Sequence, residues 1–205
     1  MTVRLYLSSF RVGAHPERLL SLVSGRRTAV VANAMDAQPV AERTSGARQE
    51  FSDLCALGLD VAELDLRRPG AAGQLASFDI VWVRGGNVFV LRRVLDDSGA
   101  DDVLIDLIRR SAIVYAGYSA GACVLAPDLT GLERVDNVNA VANPLTSGLA
   151  LLDRPIVPHV RSPGHPETAA CDAVAAAYAV AGRPHWALRD GEVLVVDDSN
   201  SEVLS

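Results

Sequence analysis

The feature that most constrains this chain is an alternation of short apolar, β-rich runs with amphipathic stretches. The runs cover residues 3–7, 28–32, 59–64, 80–83 and 113–116. Runs of this length without polar alternation predict strands buried on both faces, as in a parallel sheet. Between them, Phe51, Leu54 and Leu57, and then Val103, Leu104, Leu107 and Ile108, recur at helical spacing, which predicts helices over 48–57 and 101–110. Gly58 can stop the first, and Asp101 and Asp102 suit the positive end of the second. The pattern is βαβ, so the expected fold class is α/β: a mostly parallel sheet flanked by helices on both faces. No linker, repeat or low-complexity tract interrupts residues 1–205, and a single domain is expected. Beyond the centre, residues 128–152 lack periodicity and should be loop-rich. A short strand is expected at 156–157, a helix opened by proline over 166–181, and a C-terminal hairpin of 186–188 with 192–196 around Asp190-Gly191.

Composition narrows the function classes. A formal net charge of −6 with arginines scattered among acids argues against a nucleic-acid partner. Cys55, Cys123 and Cys171 are odd in number and lack metal-ligand spacing, so neither a disulfide framework nor a zinc site is expected. With no apolar run approaching about 18 residues, no membrane association is expected, and the chain is assigned to the cytoplasm. No ligand cluster or phosphate-binding glycine loop calls for a metal or organic cofactor.

The residues able to do chemistry centre on Gly117-Tyr118-Ser119-Ala120-Gly121, which follows a predicted buried strand and opens a small-residue helix. A serine in a G-x-S-x-G turn at that junction is the nucleophile-elbow arrangement: its hydroxyl is pushed clear of the sheet, and the Ala120 N–H faces charge developing on a substrate carbonyl. The bland alternative is a turn that merely packs helix on sheet. Residues 80–87 end in Arg84-Gly85-Gly86-Asn87 at another strand end, where the glycine N–H groups can complete an oxyanion hole and Asn87 can cap the next helix. Of the four histidines, His159 follows a short strand and is favoured as base over His165, which can line the pocket; His15 and His185 are worse placed. The orienting acid stays open among Asp190, Glu133 and Asp136. Cys123 reads as a small core filler.

Together, Val83-Arg84-Gly85-Gly86-Asn87, Gly117-Tyr118-Ser119-Ala120-Gly121-Ala122, Val157-Pro158-His159-Val160 and Gly164-His165-Pro166-Glu167 resemble the peptidase E, or S51, family of serine peptidases, in matching order over most of the chain. The resemblance implies a fold related to class I glutamine amidotransferases, flavodoxin-like, acting on short peptides in the manner of a dipeptidase or aminopeptidase. It allows a homodimer. It implies Ser119 as nucleophile, His159 as base, Asp190 in the position of the third member, and Gly86 and Ala120 as oxyanion donors. Gly85, Asn87, Arg161, His165, Glu167 and Thr168 are the candidate substrate contacts. One departure bears on specificity. Aspartyl dipeptidases of the family carry an arginine after the acidic-Thr pair, whereas here Glu167-Thr168 is followed by Ala169, leaving Arg161 as the substitute cation. The same triad would serve an amidase, an esterase or a cyanophycinase-like hydrolase, and the fold could also persist in a relative that only binds small molecules.

Overall fold

The computed structural model describes residues 3–198 and 200–205. Among the described residues, nine strands and seven α-helices follow in order: β1 (Arg4–Ser8), α1 (Pro16–Ser21), β2 (Arg27–Val31), α2 (Val40–Ala56), β3 (Asp60–Glu63), α3 (Ala71–Gln74), β4 (Ile80–Val83), α4 (Val88–Ser98), α5 (Ala100–Arg109), β5 (Val114–Tyr118), α6 (Ala120–Cys123), β6 (Ile156–Val157), α7 (Thr168–Val180), β7 (Trp186–Ala187), β8 (Val193–Asp197) and β9 (Asn200–Leu204). Seven of the strands form one sheet in the order β3-β2-β4-β5-β1-β8-β9. Its first five members are parallel, while β8 pairs antiparallel with β1 and with β9.

Strand periodicity explains the layers. Leu5, Leu7, Val81, Val83 and Tyr115 point to one face, where they pack with residues of α3, α4, α5, α6 and α7. Tyr6, Val30, Ile80, Trp82 and Val114 point to the other, under α1 and α2. Successive side chains alternate across a strand, so a fully apolar run such as Ile80–Val83 is the signature of burial on both sides. No helix among the described residues is long and apolar enough to cross a membrane.

Two sequence expectations change. The helix expected from residue 48 starts at Val40, because its polar first half is mostly exposed and carries no apolar stripe. The hairpin expected around Asp190-Gly191 does not form. Residues 189–192 do make a turn, closed by the Glu192 N–H on the Arg189 carbonyl, but β7 before it pairs in parallel with β6 in a separate two-stranded sheet, while β8 after it zips onto β1. The C-terminal hairpin is β8 with β9. An Asp-Gly turn fixes a reversal of the chain, not the partner of the strands it joins.

The centre of the parallel sheet is closed by a backbone approach. A methyl group at Gly121 would lie 2.1 Å from the Val83 carbonyl oxygen, so α6 sits on the end of β4 only because residue 121 has no side chain. Gly121→Ala should therefore cost about 1–3 kcal/mol of stability by overpacking, lowering the melting temperature by roughly 5 °C in a calorimetric scan. An unchanged melting temperature would refute this account of the β4–α6 contact.

Candidate active site

Three adjacent parallel strands, β4, β5 and β1, deliver their carboxyl ends to one place, where open α/β sheets form their sites. β5 runs directly into Ser119, held at φ 48° and ψ −118°. A positive φ in a non-glycine residue costs about 1–3 kcal/mol and persists only where the surroundings enforce it. Here the Ala122 and Cys123 N–H groups both donate to the Ser119 carbonyl, at 2.9 and 2.8 Å, and the Ser119 N–H donates to the Ser8 carbonyl at 3.4 Å. After β4, Gly86 has φ 148°, and a side chain there would meet the Ala34 carbonyl oxygen at 2.6 Å. The N–H groups of Gly86 and Ala120 have no acceptor among the described residues. Asn87 caps α4, its side-chain oxygen accepting from the Phe89 and Val90 N–H groups at 2.9 and 3.1 Å, so its side chain serves the helix.

The small β6–β7 sheet supplies the histidine and its acid. Because the two strands are parallel, the residues that follow them, His159 and Asp190, emerge side by side. His159 is 1% exposed, and its Nδ1 lies 2.7 Å from Asp190 Oδ1. The carboxylate fixes the tautomer with the proton on Nδ1, leaving the Nε2 lone pair free to accept. That Nε2 is buried and has no hydrogen-bond partner among the described residues. Burial lowers the His159 pKa, opposed by the Asp190 hydrogen bond and assisted by His165, so the ring is held neutral. His165 stacks on His159 with centroids 3.6 Å apart and planes within 4° of parallel. The other candidate acids do not reach the imidazole: Glu133 accepts from the Gly131 N–H at 2.6 Å, and Asp136 accepts from the Val88 N–H at 2.8 Å.

Sequence reasoning missed the brace that holds this pair. The Ser9 hydroxyl accepts from the His159 N–H at 2.8 Å and lies 2.9 Å from Asp190 Oδ1, to which it can donate. Ser162 does similar work from the far side, its hydroxyl accepting from the Asp190 N–H at 2.8 Å. Phe10 sets its ring edge-on to Tyr118, His159 and His165. A polar Ser8-Ser9 pair ending a buried apolar strand was the available signal. A buried carboxylate also went unnoticed: Glu50 accepts from the Trp82 Nε1–H at 2.6 Å and the Tyr118 hydroxyl at 3.0 Å, and lies 3.5 Å from Arg84 Nε. It thereby ties the residue before Ser119 to the residue before Gly85.

A narrow cavity of about 10 Å³ opens beside the elbow, lined by Ser119, Ala120, Cys123, Asp136, Pro158 and Glu167 among others. Burial keeps the Cys123 thiol protonated, consistent with a filler. Glu167 Oε2 lies 4.0 Å from His159 Nε2. Arg161 is exposed, its N–H bonded to Asp172, and Thr168 donates its hydroxyl to the Ser162 carbonyl; neither lines the cavity. A larger cavity of about 690 Å³ lies between α2 and the ends of β2 and β3, lined by Asn33, Asp36, Arg43, Phe51 and Arg67, with no part of the Ser119 constellation in its wall. His159, His165 and Glu167 present ligand-type atoms within 4.8 Å of one another. The stacked rings nevertheless share no plane: an ion midway would stand about 1.8 Å outside each, incompatible with in-plane Zn–N bonds of about 2 Å.

A parallel α/β sheet whose β5 runs into a serine at positive φ on a sharp turn to α6, with a carboxylate-bound histidine supplied by the separate β6–β7 sheet, has the strand–turn–helix context of the nucleophile-elbow class. The sequence matches peptidase family S51 over residues 18–204, and the chain belongs to that family. It is 33% identical over 108 residues to an uncharacterized peptidase of Listeria monocytogenes serovar 1/2a, and 31% identical over 108 residues to an uncharacterized peptidase of Pasteurella multocida. These matches cover 50% of this chain and 52% and 51% of the two relatives, so the chain spans about half the length of the curated relatives it matches. In fold it is similar to a candidate peptidase E from Listeria monocytogenes EGD-e, with TM-score 0.82, 22% identity and 100% of both chains covered. It is also similar to a peptidase from an acI-B1 Actinobacterium, with TM-score 0.72, 16% identity, and 100% of this chain and 88% of the other covered.

Asp136 generates a prediction about stability. Burial, chiefly, pushes its carboxyl from 3.8 up to about 7. Between those values the folded chain holds a proton that the unfolded chain has released, so this group's contribution is fully present below pH 3.8 and is lost as pH rises to about 7. The slope is about 1.4 kcal/mol per pH unit. Asp136→Asn should remove it, making the variant more stable than the parent at pH 8 but not at pH 4 in urea unfolding. Parallel pH profiles for the two proteins would contradict this.

Proposed function

We propose that this chain is a serine peptidase that hydrolyses short peptides through an acyl-enzyme on Ser119. The observation that carries the reading is the His159–Asp190 pair at 2.7 Å with Nε2 unpartnered, tied through Ser9 to the strand whose neighbour ends in the Ser119 elbow. In this mechanism His159 Nε2 takes the Ser119 hydroxyl proton as Oγ attacks the peptide carbonyl. The Gly86 and Ala120 N–H groups hold the oxyanion, and because they are already oriented they need no reorganisation as charge develops. Collapse of the tetrahedral intermediate breaks the C–N bond, and His159 returns its proton to the leaving amine. A water, deprotonated by the same Nε2, then cleaves the ester and restores Ser119. Asp190 keeps the imidazole in the productive tautomer and stabilises its charged form. Three free thiols, two of them buried, fit a reducing compartment such as the cytoplasm.

Hydrolysis of a dipeptide panel and labelling by a fluorophosphonate probe test the reading. Ser119→Ala should abolish labelling and lower kcat by on the order of 10⁴-fold or more; equal turnover by both proteins would remove Ser119 from the chemistry. Ser9→Ala should lower kcat by about tenfold or more, the worth of a lost charge-assisted hydrogen bond, and a full-rate variant would show the brace to be dispensable. Because the His159 pKa lies below 6.5, kcat/KM should rise with pH on an acid limb centred below that value; a limb centred above it would contradict a neutral resting base.

A further inference from the structure

We infer that the cavity of about 690 Å³ between α2 and the ends of β2 and β3 is a binding site for a small organic phosphate, held by Arg48 and Arg68. The site is separate from the Ser119 elbow, and the inference stands independently of the peptidase reading.

Place and size are those of a ligand site. Open α/β sheets bind ligands beyond the carboxyl ends of their parallel strands, and small-molecule pockets measure about 300–1,000 Å³. β2 and β3 pair in parallel and both run out at this cavity, the first with Ala32 and Asn33 in its wall, the second with Glu63 and Asp65. The remaining side is α2. Thr44, Ala47, Arg48 and Phe51 recur there at three- and four-residue spacing, so they share one face of the helix, and all four line the cavity. The polar first half of α2, which carries no apolar stripe for the core, thus has a cavity to face.

Charge selects the ligand. In a chain of net charge −6, this wall carries four arginines against three carboxylates. Two of the arginines are already engaged. Arg43 donates to Asp36 at 3.1 Å, and Arg67 donates to both Asp65 oxygens at 2.9 and 2.8 Å. The buried Asn33 side chain donates to Asp36 and Asp65, at 2.8 and 3.0 Å, and accepts from the Leu66 N–H at 3.1 Å, which ties the two strand ends into one network. The Arg67 hydrogen bond, chiefly, holds the Asp65 carboxyl well below the usual carboxylate range, so this floor keeps its charges and their pairing. Arg48 and Arg68 differ: neither guanidinium has a hydrogen bond or ion pair among the described residues. One comes from α2 and the other from the segment after β3, so they line the cavity from two walls. Two unpaired guanidinium forks suit an oxyanion that accepts from both, and phosphate has oxygens enough to do so.

The rest of the wall asks for more than a bare ion. Phe51 offers an apolar contact. The Glu63 carboxylate, also without a hydrogen bond or ion pair among the described residues, repels a free phosphate but accepts from a hydroxyl. A phosphate ester of a hydroxylated molecule answers the arginines, the carboxylate and the ring together.

Isothermal titration calorimetry on the full chain tests this with AMP, a pentose phosphate, inorganic phosphate and adenosine. Both esters should bind saturably with Kd below about 1 mM, and inorganic phosphate and adenosine should bind at least about tenfold more weakly. Arg48→Gln and Arg68→Gln should each weaken AMP by about tenfold, the worth of a lost charge-assisted hydrogen bond. Both side chains are exposed, so both variants should keep the parent's urea midpoint. Tighter binding of AMP than of the pentose phosphate identifies a nucleotide and equal binding a sugar phosphate, and either supports the site. No saturable binding of either ester, adenosine binding as well as AMP, or undiminished AMP affinity in both folded variants would overturn the inference. Inorganic phosphate binding as well as the esters would also overturn it, leaving a bare anion contact. Ser119→Ala should bind AMP as the wild type does, which separates this result from the fate of the peptidase reading.

Discussion

The carboxyl end of β1 is the point on which the rest of the site depends. Three consecutive residues there each hold a different part: the Ser8 carbonyl accepts the Ser119 N–H, the Ser9 hydroxyl accepts the His159 N–H and contacts Asp190, and the Phe10 ring abuts Tyr118, His159 and His165. His159 comes from a two-stranded sheet outside the main one and is itself at φ 57°, so its loop has no ladder to fix it against the elbow. The first strand relates the two, together with Cys123 of α6, whose thiol donates to the Ile156 carbonyl of β6 at 3.4 Å. β1 lies between β5, which carries the serine, and β8, which follows the acid, so one strand sets the frame for all three groups. Catalytic geometry must be kept to fractions of an ångström, and bonds from adjacent residues of a buried strand are a rigid way to keep it.

The elbow adds a second constraint from the opposite side of the same strands. Its unfavourable φ at Ser119 persists because α6 cannot lift away: Gly121 lies against the end of β4, and Tyr115 donates its hydroxyl to the Gly121 carbonyl at 2.6 Å. Glu50 then bridges Tyr118 and Arg84 across the layer of α2. Burial raises the Glu50 pKa while the Trp82 and Tyr118 hydrogen bonds pull it down. The nucleophile and the Gly85-Gly86 turn are thus linked through packing below the site as well as through the strands beneath it.

Much of this was legible in the sequence because parallel strands and strand-end glycines write strong signals. Ile80–Val83 reads as buried on both faces and is; Gly117, Ser119 and Gly121 read as an elbow and adopt one. What escaped depended on partners distant along the chain. Ser9 meets His159 across 150 residues and Asp190 across 181, distances over which local pattern carries no information. The Asp190-Gly191 turn misled for a related reason. Its local chemistry is that of a hairpin, but the pairing of β7 with β6 and of β8 with β1 is decided by tertiary contacts. Asp136 and Glu133 stayed open beside Asp190, the acid that the resemblance implies, and each has a backbone N–H partner of its own.

Charge around the imidazole is balanced by several acids. Asp190 faces the imidazole directly, Glu167 stands near its other nitrogen, and Asp136 lines the same cavity beside the nucleophile. Before a substrate arrives, the histidine is kept neutral chiefly by burial, so these acids lack a full cation at close range. In the proposed acyl transfer an imidazolium would form between Asp190 and Glu167 and an oxyanion at the backbone N–H groups, so the reaction itself would create one charge of each sign. In that proposal Asp190, 2.7 Å from His159 Nδ1, balances the imidazolium. Burial thus opposes a charge on His159 in the resting state, while the acids beside its two ring nitrogens favour one.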